Sequence, residues 1–148
     1  MALSADYRVM VGNSVVPTKA KFGLNESSLG MNPPAWLRGL TASVIGTRNA
    51  EWHLGNSIMS TPEEALQIGF VDALAKDSDE LLQLALDRGM ATLLAIPPEA
   101  RALCKQGYRM PIAELADTSE SADPMVKSVF GDECQGMIKA MRSKMRGK

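Results

Sequence analysis

The chain has 148 residues, 45% of them hydrophobic and 22% charged, the balance of one ordinary globular domain rather than a disordered or membrane chain. Lys and Arg number 16 against 17 Asp and Glu, a net charge of -1, too weak a field to point to nucleic acid as the main partner. No stretch approaches the ~18 consecutive apolar residues of a membrane span, and the opening MALSADYRVMV has neither the basic nor the long apolar region of a signal peptide.

Taken in chain order, the alternation through Asp6-Tyr7-Arg8-Val9-Met10-Val11 predicts a first strand over Ser4–Val11, with a turn at Gly12-Asn13-Ser14. A second short strand is predicted over Lys21–Leu24. Gly30-Met31-Asn32-Pro33-Pro34 then breaks the chain and leads into a helix from Pro34 to Ile45, stopped at Gly46. Thr47 or Asn49 is expected to cap the next helix, Arg48–Gly55.

The stretch STPEEALQIGFVDAL is the clearest local signal. Thr61, Pro62 and Glu64 spell a capping box with proline at the first helical position. Gly69 reads as a left-handed stop, and Phe70–Leu74 as a third strand. Three short strands against so many helices make a thin sheet, to be completed by another chain or by the rest of a longer protein.

From Asp77 onward the pattern is helical. Leu81, Leu82, Ala85, Leu86, Met90, Leu93 and Leu94 form one stripe. Pro97-Pro98 stops that helix and starts another with Ala100, Leu103 and Cys104 on one face, which Pro111 is expected to break. Asp123 is expected to cap a last helix, with Pro124 at its first position and Val126, Val129, Phe130, Met137, Ile138, Met141 and Met145 along one side. Its closing cations Lys139, Arg142, Lys144, Arg146 and Lys148 offset the helix dipole or form an anion site. The boundary falls near Lys76, giving a mixed α/β part over 1–76 and a helical part over 77–148.

The candidate chemistry is sparse. Cys104 and Cys134 have no CxxC spacing and no nearby histidine, and read as two reduced, buried thiols. No GxGxxG, P-loop or HExxH motif occurs. His53, the single histidine, sits between Trp52 and Leu54 without a triad pattern and reads as a packed or surface residue. Glu26 stands among Phe22, Leu24 and Leu29. Enclosed by apolar groups, a carboxylate is disfavoured in its charged form and can take and return a proton near neutral pH. The alternative is a loop acid facing solvent or capping a backbone N–H.

The ordered set ALSADYRVMV, AKFGLNESSLGM and STPEEALQIGFVDAL resembles the crotonase superfamily, the enoyl-CoA hydratase/isomerase group, and within it the mitochondrial 3,2-trans-enoyl-CoA isomerase branch. The resemblance spans Ala2–Leu74, and the rest fits the family's C-terminal helices in pattern only. It implies a partial crotonase-like ββα spiral over 1–76, followed by an all-helical oligomerisation region over 77–148 that assembles homotrimers or hexamers. It makes Glu26 the catalytic general base acting on an acyl-CoA thioester, with Leu29, Met31, Trp36 and Leu37 as walls for the acyl chain. Lys139 and Lys144 are cations that can meet the coenzyme A phosphates. No metal or redox cofactor is implied, coenzyme A entering as part of the substrate, and the location implied is mitochondrial.

Two departures qualify the resemblance. The family's oxyanion-hole peptides belong to segments that precede ALSADYRV, so this chain is expected to be the C-terminal half of a longer protein, inactive or weakly active alone. The stretch Met31-Asn32-Pro33-Pro34-Ala35-Trp36 is bulky where the hydratases carry a glycine-rich turn, which favours isomerase over hydratase. A non-catalytic crotonase-like assembly subunit is the alternative from another class.

Overall fold

The structure, a computed structural model, describes residues 2–12, 20–116 and 119–146, the side chains of 119–123 and 146 excepted. Among these residues are four short strands: β1 (Val9–Val11), β2 (Phe22–Gly23), β3 (Met59–Ser60) and β4 (Ala73–Ala75). β1 and β4 pair in parallel with Val9 opposite Ala73, and β2 pairs antiparallel with β3, Phe22 opposite Ser60. The thin sheet expected from the sequence is therefore two separate two-stranded ribbons.

Each predicted strand is shorter than its alternation. Ala2–Ser4 forms a 3-10 turn, with Ala5 N–H on the Ala2 carbonyl at 3.0 Å, so β1 starts only at Val9. The predicted strand at Phe70–Leu74 moves to Ala73–Ala75. The Phe70 and Val71 N–H groups donate to the Ala65 carbonyl (2.8 and 3.2 Å) and are unavailable to a ladder. β3 has no signature in the sequence, because two residues carry no readable period. Of the predicted turn at Gly12-Asn13-Ser14, the last two residues lie outside the described ones.

The helices are α1 (Ala35–Ile45), α2 (Thr47–Gly55), α3 (Pro62–Gln67), α4 (Ser78–Leu84), α5 (Ala91–Leu94), α6 (Pro98–Glu114), α7 (Ser119–Phe130) and α8 (Asp132–Arg146), with a π-helical segment Ala85–Met90 joining α4 to α5. The capping box of α3 is present: Thr61 Oγ1 accepts the Glu64 N–H at 3.3 Å, and Glu64 Oε2 accepts the Thr61 N–H at 2.8 Å. Neither Thr47 nor Asn49 caps α2. Gly46 takes that position at φ +80°, and the Asn49 amide turns back to the Ile45 carbonyl at 2.9 Å, serving the orphaned end of α1 instead.

Three expectations for the helical part are corrected. Pro111 does not break α6, which runs on to Glu114; the carbonyl it frees belongs to Gly107, which is exposed in open space where water reaches it. Asp123 is not a cap, since α7 already begins at Ser119, which puts Pro124 inside it. The single last helix is two, parted at Gly131, a residue of low helix propensity.

The core lies between α1, α2, α3 and the first turn: Leu3, Leu40, Ile45, Ala50, Ala65, Phe70 and Val71 are buried together. Phe70 anchors it, packed on Phe22 (centroids 4.9 Å apart) and edge-on to His53 (5.7 Å, 84°). Fully burying such a ring is worth about 1.5–3 kcal/mol. His53 is thus a packed histidine, its Nδ1 3.5 Å from Ser60 Oγ.

Of the predicted stripe, Leu82, Leu86, Met90 and Leu94 face outward. On α6 the expected polarity is reversed: Arg101, Lys105, Arg109 and Ile112 are partly buried, while Leu103 and Tyr108 are exposed. Asp6 draws the cations inward, with Arg101 Nη2 and Lys105 Nζ each 2.8 Å from its carboxylate. For the same reason Cys104 is exposed, contrary to the sequence reading; Cys134 is buried as expected.

Candidate active site

Glu26 opens a one-turn 3-10 helix, Glu26–Leu29, immediately after β2. The turn closes on itself. Gly30 takes φ +69° and donates to the Ser27 carbonyl at 3.1 Å, and the Met31 N–H reaches the carbonyl of Glu26 at 3.0 Å. A left-handed residue is needed there, and the space is tight as well: a Cβ on Gly30 would lie 2.8 Å from the Cys134 backbone nitrogen. The first turn of α8 therefore sits directly on the acid-bearing turn.

Side chains from distant elements hold the same segment. Ser57 Oγ accepts the Ser28 N–H at 2.7 Å, and Ser128 Oγ of α7 accepts the Asn32 N–H at 2.9 Å while donating to the Met125 carbonyl. Arg38 Nη1 donates to Asn32 Oδ1 (3.1 Å) and to the Pro33 carbonyl (2.5 Å). The helical region thus takes part in building the site as well as flanking it.

Glu26 lines a cavity of about 320 Å³ whose other walls are Ala2, Leu3, Phe22, Gly23, Leu24 and Leu37. Every one of those walls is apolar. Among the described residues, Glu26 Oε2 is buried and has no hydrogen-bond partner. A buried polar atom in that state calls for an explanation, and this carboxylate stands beside an apolar chamber. Such a group can take a proton from a carbon acid bound in the chamber and return it.

Of the candidate walls, Leu37 lines this cavity. Leu29 and Met31 are half-buried beside it in sequence without lining it, and Trp36 packs against the core. Phe22 and Leu24, noted only as apolar neighbours of the acid, line it, as do Ala2 and Leu3 from the first turn. Strand and turn direction could have flagged Phe22 and Leu24; nothing in the sequence signals Leu3. Lys139 and Lys144 are exposed on α8, well along from the turn that meets Gly30. Among the described residues no group of three His, Cys, Asp or Glu side chains is arranged to hold a metal ion, and no helix is long and apolar enough to cross a membrane.

Short paired strands lie under a helical layer, with Glu26 on a turn between strand and helix. A profile of the enoyl-CoA hydratase/isomerase family matches residues 1–141, and the chain belongs to that family. Its fold is crotonase-like and mostly helical. The chain is 36% identical over 123 residues to enoyl-CoA delta isomerase 1, mitochondrial, of Homo sapiens, covering 83% of this chain and 39% of that protein. The Rattus norvegicus protein of the same name is 37% identical over 123 residues, with 40% of its length covered. The crystal structure of human mitochondrial delta3-delta2-enoyl-CoA isomerase superposes with a TM-score of 0.81 at 31% identity, over 98% of this chain and 55% of that one. The chain thus spans well under two thirds of the relatives it matches.

Proposed function

We propose that the protein carrying this chain isomerises 3-enoyl-CoA thioesters to 2-trans-enoyl-CoA, as in fatty acid β-oxidation, with Glu26 as the general base. The observation that carries the reading is Glu26 Oε2, buried and without a partner among the described residues, beside an apolar cavity of about 320 Å³. The names of the human and rat relatives support the choice of reaction and a mitochondrial location.

In this reaction Glu26 takes the proton from the carbon α to the thioester. The C–H electron pair moves into a dienolate whose negative charge rests on the thioester oxygen. Glu26 then delivers the proton to the γ carbon, and the double bond moves from C3–C4 to C2–C3, into conjugation. No net electron or atom is lost, so the step requires no redox cofactor, and coenzyme A is part of the substrate. Leu37 bounds the acyl chamber beside the acid, and Leu29, Met31 and Trp36 are proposed as further contacts of the acyl chain.

Stabilising the enolate oxygen takes hydrogen-bond donors, each worth about 10²–10³ in rate in comparable sites. The resemblance assigns them to segments ahead of ALSADYRV and to no residue of 1–148, so these residues by themselves are proposed to turn over substrate weakly or not at all. The exposed Leu94, Leu103, Tyr108 and Phe130 of the helical region support assembly into homotrimers or hexamers.

The test is the absorbance of the conjugated thioester formed from a 3-enoyl-CoA by the protein carrying this sequence and by its Glu26→Gln variant. The variant is expected to lose about 10²–10⁴ in kcat, the share of a positioned base, with its melting temperature maintained. Near-full turnover by Glu26→Gln removes the assigned role, and hydration of a 2-enoyl-CoA without isomerisation makes the protein a hydratase.

A further inference from the structure

Helix α2 ends at a residue that does not suit its backbone. Ile58 N–H bonds the His53 carbonyl (2.9 Å) and Ser57 N–H the Leu54 carbonyl (3.3 Å), the paired bonds of a Schellman end. That motif needs a left-handed residue between the helix and its exit, which is Ser57, at φ +51°. Helix α3 ends in the same way, with Gly69 at φ +84° in the equivalent place and bonds from Gly69 and Phe70 to Leu66 and Ala65. Ser57 is the one non-glycine with positive φ among the described residues. Glycine would close α2 with less strain.

The difference between serine and glycine is the hydroxyl, and that hydroxyl is in use. Ser57 Oγ lies 2.7 Å from the Ser28 backbone nitrogen, 29 residues away in sequence. Among the described residues, the other acceptor of that N–H is the Asn25 carbonyl of its own turn, at 3.2 Å. Ser28 is the third residue of the Glu26 turn, and its own hydroxyl closes onto the Asn25 carbonyl at 2.8 Å. A fixed helix end thereby reaches across to the backbone that carries the acid.

We infer that Ser57 is a positioning residue for Glu26: its strained backbone is kept because its hydroxyl, the nearer acceptor of the Ser28 N–H, fixes the acid-bearing turn against α2. This rests on the reading of Glu26 as the general base. Ser57 does not touch the reacting atoms. It acts through the direction in which the turn presents the carboxylate, and small displacements of a catalytic group cost rate steeply.

Ser57→Gly separates this role from a structural one, because it relieves the φ strain and deletes the hydroxyl together. A residue serving only the helix end gives a variant at least as stable and as active as the parent. The positioning role gives a melting temperature equal or higher, a Ser28 amide that exchanges with solvent about tenfold faster, and a kcat on 3-enoyl-CoA about five- to tenfold lower at unchanged KM. Ser57→Ala, which keeps the strained backbone and loses the hydroxyl, should match it in exchange and kcat while melting lower. Retained Ser28 protection, or full kcat despite faster exchange, overturns the inference. A whole protein carrying this sequence that shows no isomerase turnover counts against the functional reading instead, and Ser28 exchange in Ser57→Gly then decides alone whether the pin exists.

Discussion

Arg8 and Asp72, 64 residues apart, hold each other through both side chain and backbone. The guanidinium donates from Nε (2.9 Å) and Nη2 (3.0 Å) to the two carboxylate oxygens, the Arg8 N–H donates to Asp72 Oδ2 at 2.8 Å, and the Asp72 N–H returns to the Arg8 carbonyl at 2.8 Å. The clamp sits at the entrance to the parallel β1–β4 ribbon, where three residues on each strand supply few ladder bonds. A forked guanidinium–carboxylate pair adds direction that a point charge would not.

Asp72→Asn should therefore weaken the joint between the first and third motifs of the chain. The Arg8 side chain is only 13% exposed and, among the described residues, its Nη1 is buried without a partner, so losing the carboxylate strands a largely desolvated cation. Because Asp72 itself is 31% exposed, the cost is expected at the lower end for such pairs, about 1–3 kcal/mol. Denaturant unfolding measures it. A midpoint unchanged from the parent would mean that the clamp is ornamental to stability.

Gly30→Ala should disturb the site more than the fold elsewhere. The new Cβ meets the Cys134 backbone at 2.8 Å and forces alanine into φ +69°, a combination costing about 1–3 kcal/mol. Because the strain falls at the end of the Glu26 turn, isomerase turnover should drop further than the loss of folded protein explains. Full specific activity in the folded fraction would show that the turn tolerates displacement.

Asp6 makes stability depend on acid pH. The hydrogen bond from Lys105, followed by the charges of Lys105 and Arg101, holds its carboxyl below the usual range against the opposing effect of burial. A carboxyl with a lowered folded pKa lets the unfolded chain bind more protons in the window between the two values. Its stabilisation is present above the unfolded value, about 3.9, and is lost as pH falls through the folded one. Asp6→Asn should melt below the parent at pH 7, and the gap should close as the pH is taken below about 4. A gap that stays constant to pH 3 would assign the contact no electrostatic worth.

Thr61→Ala removes one half of the α3 capping box and should cost about 1 kcal/mol. For a chain of this size that is a fall of about 2–4 °C in melting temperature. Thr61→Ser, which keeps the capping hydroxyl, should stay close to the parent; a Thr61→Ala protein as stable as the parent would mean that solvent replaces the cap at no cost.

Several features are legible in the sequence because they are local. The capping box needs only Thr61, Pro62 and Glu64 within one turn, and Gly69 needs only its freedom at positive φ. Ser57 occupies the same kind of helix end, yet serine carries no stop signal; its left-handed backbone is explained by Ser28, far off in sequence. The α6 face misled for a related reason. Periodicity put Ala100, Leu103 and Cys104 inward, but Asp6 pairs with Arg101 and Lys105 and turns the helix the other way.

By itself the sequence determined the order of elements, the acid at position 26 and the family its motifs resemble, because helix caps, turn glycines and apolar runs act over a few residues. Only the tertiary structure decided which walls surround that acid. Leu3 and Leu37 reach the cavity from opposite sides of it in sequence, Gly30 yields to Cys134, and a serine at the end of α2 holds the turn. Those relationships arise from packing between distant segments, which depends on how the whole chain closes and on no local pattern.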